Sequence, residues 1–334
     1  MRKIGRSVVG VVIPVLNEEA HIESTVKRII ENSAENIKLE VLVVDGGSSD
    51  CTVQKVIDLD LPCVTVISNK KVIQSAAVNL GFSILQETCD YFLRVDAHCA
   101  YPQNFVTQCL DALLEHDADS VVVVMDTLGG NSFQCAVGFV SDRIYAGGGS
   151  PHRGGTKSGW VSHGHHAMFR KEAFMAVGGY DEAMEANEDA ELDARLVSDD
   201  FRIYLDSSIR IGYYPRKDAL SLWKQYYRNG AGRAQTAIRH KVINVRQILP
   251  VLLVIWSGIA LISATVFHQV VLTMIPYLVF LLLAMVHSLM SSGLRVAIHS
   301  VPAIIMMHFG FGLGYIKVIK DHLKANICNF SKCR

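Results

Sequence analysis

Several short polar clusters in this 334-residue sequence carry side chains suited to holding and activating a phosphorylated substrate. The first is Asp96-Ala97-His98, which follows the apolar run Tyr91–Val95. A carboxylate and an imidazole two positions apart in an extended segment can face one side, and together they suit Mg2+ or Mn2+. Such an ion neutralises the charge that builds on a departing diphosphate. The second cluster is Asn187-Glu188-Asp189-Ala190-Glu191-Leu192-Asp193, which reads as the first turns of a helix. Acids there complement the helix dipole, or one of them takes a hydroxyl proton as general base. Neighbouring carboxylates raise one another's pKa, which suits a base working near neutral pH. Asp189 and Asp193 share a helical face, but Asp193 lies beside Arg195, where an ion pair accounts for it. Asp189 is therefore the expected base, with Glu188 next to it.

Three further groups are less specific. His163, His165 and His166 suggest a metal site but bring no evident fourth ligand, so packing and hydrogen bonds to an acceptor are the expected roles. Gln225-Tyr226-Tyr227-Arg228, with Arg233, combines aromatic and basic side chains suited to anionic lipid headgroups, and an Arg pair can also clamp a diphosphate. The glycine-rich stretch 147–155 reads equally as a lid over a substrate or as a surface linker.

The elements that must position these groups alternate in type. Strands are expected at Val8–Pro14, Glu40–Val44, Cys63–Ile67 and Tyr91–Val95, with helices at Glu18–Asn32, Val53–Ile57 and Ser75–Gln86. This alternation implies right-handed crossovers and a mostly parallel sheet whose ligands lie beyond the carboxyl ends of the strands. Asn17 and Glu18, Asp45 and Asp96 each follow such an end, so they converge on one crevice. A dinucleotide fold would need glycines after the first strand; Pro14-Val15-Leu16-Asn17-Glu18-Glu19 has none.

The charge is divided unevenly along the chain. Residues 1–206 carry 17 Lys/Arg against 30 Asp/Glu, and residues 207–247 carry 9 against 1. Arg295 is the single charged side chain between 248 and 316, and the last 18 residues hold 5 basic groups and 1 acid. The acidic bulk excludes a nucleic-acid partner, which would require concentrated positive charge. The eight cysteines form no Cys-x-x-Cys pair, and no secretory signal precedes the first strand, so the globular part is expected in a reducing cytoplasm. The charge-free runs Ile248–Phe267 and Val270–Met290 each match the thickness of a bilayer. Val296–Ile316 is a weaker candidate, interrupted by His299, Pro302, His308 and glycines. The basic hinge belongs on the cytoplasmic side, and the basic tail favours an even number of crossings. The third segment is then re-entrant or interfacial, or it breaks the rule. The expected organisation is a catalytic domain at 1–215, a basic amphipathic interface segment at 216–247, and a membrane segment at 248–334.

The ordered set Pro14-x-x-Asn17-Glu18, Asp45-Gly-Gly-Ser-Ser-Asp50, Asp96-Ala-His98, Gly178-Gly-Tyr-Asp-Glu182, Glu188-Asp189 and Gln225-x-x-Arg228 resembles family 2 glycosyltransferases. Within that family, Gln74-Ser-Ala-Ala-x-Asn79, Leu93-Arg-Val-Asp-Ala-His98, His152-Arg-Gly-Gly-Thr156 and Gly164-His-His-Ala-x-Phe-Arg170 are similar to the ExoA-like exopolysaccharide glucosyltransferases. The resemblance implies an α/β fold of GT-A type, with a Rossmann-like, mostly parallel sheet, followed by a C-terminal α-helical membrane segment. It implies that Pro14, Asn17, Glu18 and Asp45 hold the uridine of a UDP-sugar, that Asp96 binds metal and diphosphate, and that Asp189 is the base. Gln225 and Arg228 would meet the diphosphate and the acceptor, with His165, His166 and Arg233 beside them. The implied activity is an inverting, metal-dependent transfer of one sugar, glucose, to a lipid-linked saccharide at the cytoplasmic face of a bacterial inner membrane. Partners would be anionic lipids and other polysaccharide-assembly enzymes. The alternatives are a polyprenyl-phosphate sugar synthase and a non-catalytic nucleotide-sugar-binding module. Two departures stand out: the family's Asp-x-Asp is Asp-x-His here, and Asn229 stands where processive synthases carry Trp after Gln-x-x-Arg, which counts against polymer extrusion.

Overall fold

In the computed structural model, residues 7–31, 33–146, 150–165, 168–184, 186–241 and 245–332 are described, with side chains to 326. They form two compact units: residues 1–126 with 151–213, and residues 127–150 with 214–334.

In chain order the first unit opens with β1 (Ser7–Val15), α1 (Ile22–Ile30), β2 (Ile37–Asp45), α2 (Thr52–Ile57), β3 (Val64–Ser68), α3 (Gln74–Leu85) and β4 (Tyr91–Arg94). It continues through β5 (Cys99–Ala100), α4 (Phe105–Glu115) and β6 (Ser120–Thr127), which leads into α5 (Ser132–Ser141) of the second unit. It resumes with β7 (Gly159–Val161), β8 (Met168–Arg170), α6 (Lys171–Ala176), α7 (Glu188–Ser198) and β9 (Ile203–Tyr213). The strand order is β3-β2-β1-β4-β8-β6-β9-β5, with β7 also on β9.

The expected mostly parallel sheet is a mixed one: strands β1 to β4 pair in parallel, and β8 and β9 add antiparallel pairings. The reason lies in the connections. Helical crossovers join the first four strands, as parallel neighbours require, whereas β8 returns across β4 in the opposite sense. Strands β1 and β2 are runs of β-branched and aliphatic residues buried on both faces, the pattern of a sheet covered by helices. Two apolar layers result, one around Val11, Ile13, Val41 and Leu113, the other around Phe82, Phe92, Phe169 and Phe174. In register, Val15 pairs with Asp45 and Asp45 with Ser68, so the carboxyl ends of β1, β2 and β3 lie level, as the sequence led us to expect.

The second unit contains α5, α8 (Ala219–His240), α9 (Val245–Ser263), a 3-10 turn at His268–Met274, α10 (Ile275–Ser292) and α11 (Leu294–Lys332). Helix α5, which the sequence reading placed inside the catalytic domain, packs here against α11 through Val137, Phe139 and Val140. Three stretches are long and apolar enough to cross a membrane: Val245–Ser263, His268–Ser292 and Leu294–Asn326. The third is therefore as long a candidate as the other two, and its glycines have a packing role. A Cβ at Gly314 would lie 1.9 Å from the Tyr227 carbonyl oxygen of α8, and one at Gly312 would lie 2.5 Å from the Pro250 carbonyl oxygen of α9. Small residues let helix backbones approach closely, and this is the usual means of helix association in lipid. What lowered the segment's hydropathy is what packs it.

Candidate active site

The loops beyond the strand ends enclose a cleft of about 220 Å3 lined by Pro14, Glu18, Gly46, Gln74, Asp96 and His98 among others. Local chemistry shapes each loop. Asn17 sits at φ +56°, a left-handed conformation that Asn tolerates better than other non-glycine residues. The turn lets its Oδ1 accept from the Ser49 backbone N–H at 2.8 Å, while its own N–H donates to Ser48 Oγ at 2.9 Å. Asp45 is buried and accepts from the N–H groups of Gly47 (3.0 Å) and Ser48 (3.1 Å). Of the residues expected to hold a nucleotide, Pro14, Glu18 and Asp96 line the cleft. Asn17 and Asp45 fix the adjoining 46–49 loop from behind.

The Asp96 turn is pinned at both ends. Tyr101 Oη accepts from the Asp96 N–H at 2.8 Å and lies 3.0 Å from the Asp96 carbonyl oxygen, and Thr25 Oγ1 donates to the Ala97 carbonyl at 2.7 Å. Gln74 Nε2 (3.0 Å) and Arg94 Nε (3.2 Å) both donate to Asp96 Oδ1, orienting the carboxylate. His98 is 44% exposed, with Nδ1 2.9 Å from Glu18 Oε1. A carboxylate and an imidazole therefore line one cleft, and Mg2+ and Mn2+ sites combine few protein donors with substrate phosphates. The residues present fit such an ion.

The second cluster is organised by a residue the sequence reading gave no role. Arg94, at the end of β4 and 6% exposed, contacts Asp96 through Nε, Glu188 Oε1 through Nη2 at 3.2 Å, and Asp189 Oδ1 through Nη1 at 2.5 Å. Its signal was visible: an arginine inside the buried run Phe-Leu-Arg-Val needs buried acids to pair with. Tyr180 Oη donates to Asp189 Oδ1 at 2.9 Å, and its ring lies under the Arg94 guanidinium at 5.3 Å. Tyr180 follows Gly179, whose φ of +72° and 2.6 Å Cβ clearance to Asn79 Oδ1 exclude any side chain. Asn79 in turn accepts from the Tyr180 N–H at 2.8 Å. His165 Nδ1 lies 2.7 Å from Asp189 Oδ2.

These contacts set the electrostatics. Burial alone would raise the Asp189 pKa, but Arg94 and the His165 hydrogen bond outweigh it and hold the carboxyl far below the usual range. Glu188 moves the other way, raised first by burial and then by the charge of Asp189. The upward shift anticipated for the expected base thus falls on its neighbour. His165 is lowered to about 4, because burial outweighs its carboxylate partner. Burial also raises Asp193 against the pull of His163, whose Nδ1 is 2.7 Å away. Arg195 does not pair with Asp193: it holds Glu191, with Nη2 2.6 Å from Oε2. Glu191 points at the side chain four residues further along the helix, and Asp193 points at the histidine loop.

Among the acceptor candidates, His165 joins the Asp189 cluster, and His166 lies outside the described residues. Gln225, Arg228 and Arg233 lie on α8 in the second unit, where Trp223, Lys224, Tyr227 and Arg228 line a hollow of about 350 Å3. Gly147, Gly148 and Gly149 also lie outside the described residues. The rest of that stretch is tied to β6, since the Met125 N–H donates to the His152 carbonyl at 2.9 Å and Gly154 donates back to Met125 at 3.2 Å. The sequence reading missed His152 as well as Arg94 and Tyr180.

Residues 10–178 match the family described as Glycosyl transferase family 2. Over 243 residues the chain is 42% identical to the succinoglycan biosynthesis protein ExoA of Rhizobium meliloti (strain 1021), covering 72% of this chain and 73% of that protein. A mannosyltransferase from Pyrobaculum calidifontis, solved in complex with GDP-Man and Mn2+, superimposes with a TM-score of 0.58 at 17% identity, covering 94% of this chain and 87% of that one. Glucosyl-3-phosphoglycerate synthase from Mycobacterium tuberculosis, solved with Mn2+, UDP and glucosyl-3-phosphoglycerate, gives a TM-score of 0.50 at 17% identity, over 73% and 83% of the two chains. At such identities the likeness establishes the fold, which is GT-A. The matched residues, their order along the sheet and the extent of identity lead to one conclusion: the chain belongs to glycosyl transferase family 2, and it is a glycosyltransferase.

Proposed function

We propose that this enzyme transfers one glucose, with inversion, from UDP-glucose to a polyprenyl-diphosphate-linked saccharide during assembly of an exopolysaccharide of the succinoglycan type. The observation that carries the reading is the Arg94 bridge, which joins the cleft carboxylate Asp96 to the proposed base Asp189. Donor and acceptor chemistry then meet across one guanidinium. Pro14, Glu18 and the loop held by Asn17 and Asp45 take the uridine, and Asp96 with His98 holds Mg2+ or Mn2+ at the diphosphate. The cation supplies charge neutralisation for the leaving UDP.

The acceptor oxygen forms its bond to the anomeric carbon as the bond from that carbon to the β-phosphate oxygen breaks, and UDP leaves with the electron pair. The hydroxyl proton passes to Asp189. Because Arg94 and His165 keep this carboxylate ionised, the base is in its active form at neutral pH. A carboxylate so stabilised is a weak base, so the proton moves late, once the attacking oxygen has begun to bond to carbon. Arg94 is fully charged and prevents Asp189 and Asp96 from repelling one another.

His165 reaches the acceptor side of Asp189, and Gln225, Arg228 and Arg233 meet the lipid diphosphate. The basic residues of α8 favour anionic lipid headgroups and a cytoplasmic placement at a bacterial inner membrane. Membranes containing the full chain, incubated with radiolabelled UDP-glucose, test the proposal. Label should enter a polyprenyl-diphosphate saccharide in the β configuration, by NMR of the released product. Labelling of polyprenyl phosphate instead would make the enzyme a lipid-phosphate sugar synthase, and UDP binding without turnover would make it a binding module.

A further inference from the structure

Three imidazoles stand together beside the proposed base. The rings of His152, His163 and His165 have centroids 5.2, 5.0 and 5.2 Å apart and cross at 81°, 74° and 69°, so each presents an edge to the others. One ring nitrogen from each can be chosen so that all three lie within 4.8 Å of one another, and among the described residues no other group of three His, Cys, Asp or Glu does this. His152 is 6% exposed. Gly164 presses the loop that carries the other two against β6, where a Cβ would fall 2.3 Å from Val122 Cγ2.

The outer faces of two rings are fixed by carboxylates. His163 Nδ1 is 2.7 Å from Asp193 Oδ2, and His165 Nδ1 is 2.7 Å from Asp189 Oδ2. An Nδ1–H that donates to a carboxylate leaves Nε2 without a proton, as an acceptor. At His163 that Nε2 is buried with no hydrogen-bond partner. A buried lone pair without a donor is costly, and it is how a metal-binding histidine backed by a carboxylate is arranged.

From this arrangement we propose that His152, His163 and His165 bind a divalent transition-metal ion of the Zn2+ class, distinct from the ion at Asp96 and His98. Three nitrogen donors with no oxygen among them suit Zn2+ or Co2+ and not Mg2+, which requires oxygen. Three nitrogens no more than 4.8 Å apart lie at most about 2.8 Å from a common centre, so each moves inward by under ~1 Å to reach the ~2.0–2.1 Å of a Zn–N bond. Asp189 and Asp193, one layer out, balance the two positive charges. Three protein ligands leave a fourth position for an oxygen ligand, and the ion would lock His165 against Asp189.

The full-length chain, purified in detergent, stripped with chelator and reloaded with Zn2+ or Co2+, tests this by metal content and by visible absorption. One equivalent of Zn2+ per chain and the intense ligand-field bands of tetrahedral Co2+ are expected. Asp193→Asn should weaken Zn2+ about 10–100-fold, the usual consequence of losing a carboxylate behind a ligand, and Asp96→Ala should leave Zn2+ content unchanged. His163→Ala should abolish binding. Should that variant fail to fold, His163→Cys decides, because a thiolate keeps the metal and adds a sulfur-to-cobalt charge-transfer band. Substoichiometric Zn2+ in the wild-type chain, retention in His163→Ala, a cobalt complex of His163→Cys without the charge-transfer band, or loss in Asp96→Ala would each overturn the site. None of these readouts depends on sugar transfer, so failure here leaves the proposed reaction standing.

Discussion

Two of the three histidine–carboxylate pairs described in the catalytic unit, similar in length, are built for different tasks. His98 and Glu18 meet at 2.9 Å on the wall of the cleft, with the imidazole 44% exposed. His165 and Asp189 meet at 2.7 Å, with the imidazole 27% and the carboxylate 13% exposed, under a buried arginine and tyrosine. The first pair can exchange its partner for a cation or a phosphate, because water supports both groups while they rearrange. The second is held more tightly, since Asp189 would give up its hydrogen bonds to Arg94, Tyr180 and His165 together. Pair identity and distance alone do not assign a role; burial and the third partner do.

The largest expected effect is at the open end. Asp96→Ala should reduce transfer to background and remove the metal dependence of UDP binding, read by calorimetry with and without Mn2+. EDTA should likewise silence the wild-type enzyme, with recovery on adding Mn2+ or Mg2+. Full transfer in EDTA would remove the distinction between the two pairs, because the cleft would then need no cation.

At the buried end, Asp189→Asn should leave UDP-sugar affinity near wild type and lower kcat by about 10²–10⁴, the range for loss of a general base. Glu188→Gln should cost far less. If Glu188→Gln or Asp193→Asn is the crippled variant instead, the base is a different carboxylate and the raised pKa of Glu188 or Asp193 gains its meaning.

Arg94→Met tests the bridge between the two ends. Removing one partner from a buried ion cluster leaves uncompensated charge and costs about 3–5 kcal/mol, so a clear fall in melting temperature is expected. An unchanged melt would mean that Asp96, Glu188 and Asp189 do not depend on the guanidinium.

The open end was legible in the sequence, and the buried end only in part. Asn17, Glu18, Asp45 and Asp96 follow apolar runs whose alternation with helices places them at one edge of a parallel sheet, and local pattern suffices for that. The start of α7 was legible too, because a cluster of acids marks a helix N-terminus. The partners of Asp189 were not: Arg94 is 95 residues away and His165 is 24 away. No periodicity encodes which buried charge meets which across a sheet. The same limit explains Asp193, whose neighbour in sequence is Arg195 but whose partner in space is His163. Hydropathy likewise ranks α11 below α9 and α10, and says nothing of Gly312 and Gly314 as contact points between helices.

The smallest effect should come from the exposed pair itself. His98 stands where the family's pattern has a second aspartate, and its ring reaches Glu18 without burial, so the site can accept a change of donor there. His98→Asp replaces a borderline nitrogen with a hard oxygen while keeping a donor two residues after Asp96. Transfer should therefore stay within about tenfold of wild type, and the ratio of Mg2+-supported to Mn2+-supported rates should rise, since oxygen donors favour the harder ion. Glu18 would then face a second carboxylate, a repulsion that a cation between them relieves. Because bound metal relieves that repulsion, the variant should need no more metal than wild type for half-maximal rate at a fixed substrate concentration. If His98→Asp is as inactive as Asp96→Ala, the imidazole is not an interchangeable donor. The exposed pair would then be as tightly specified as the buried one, and burial would lose its place as the property that separates them.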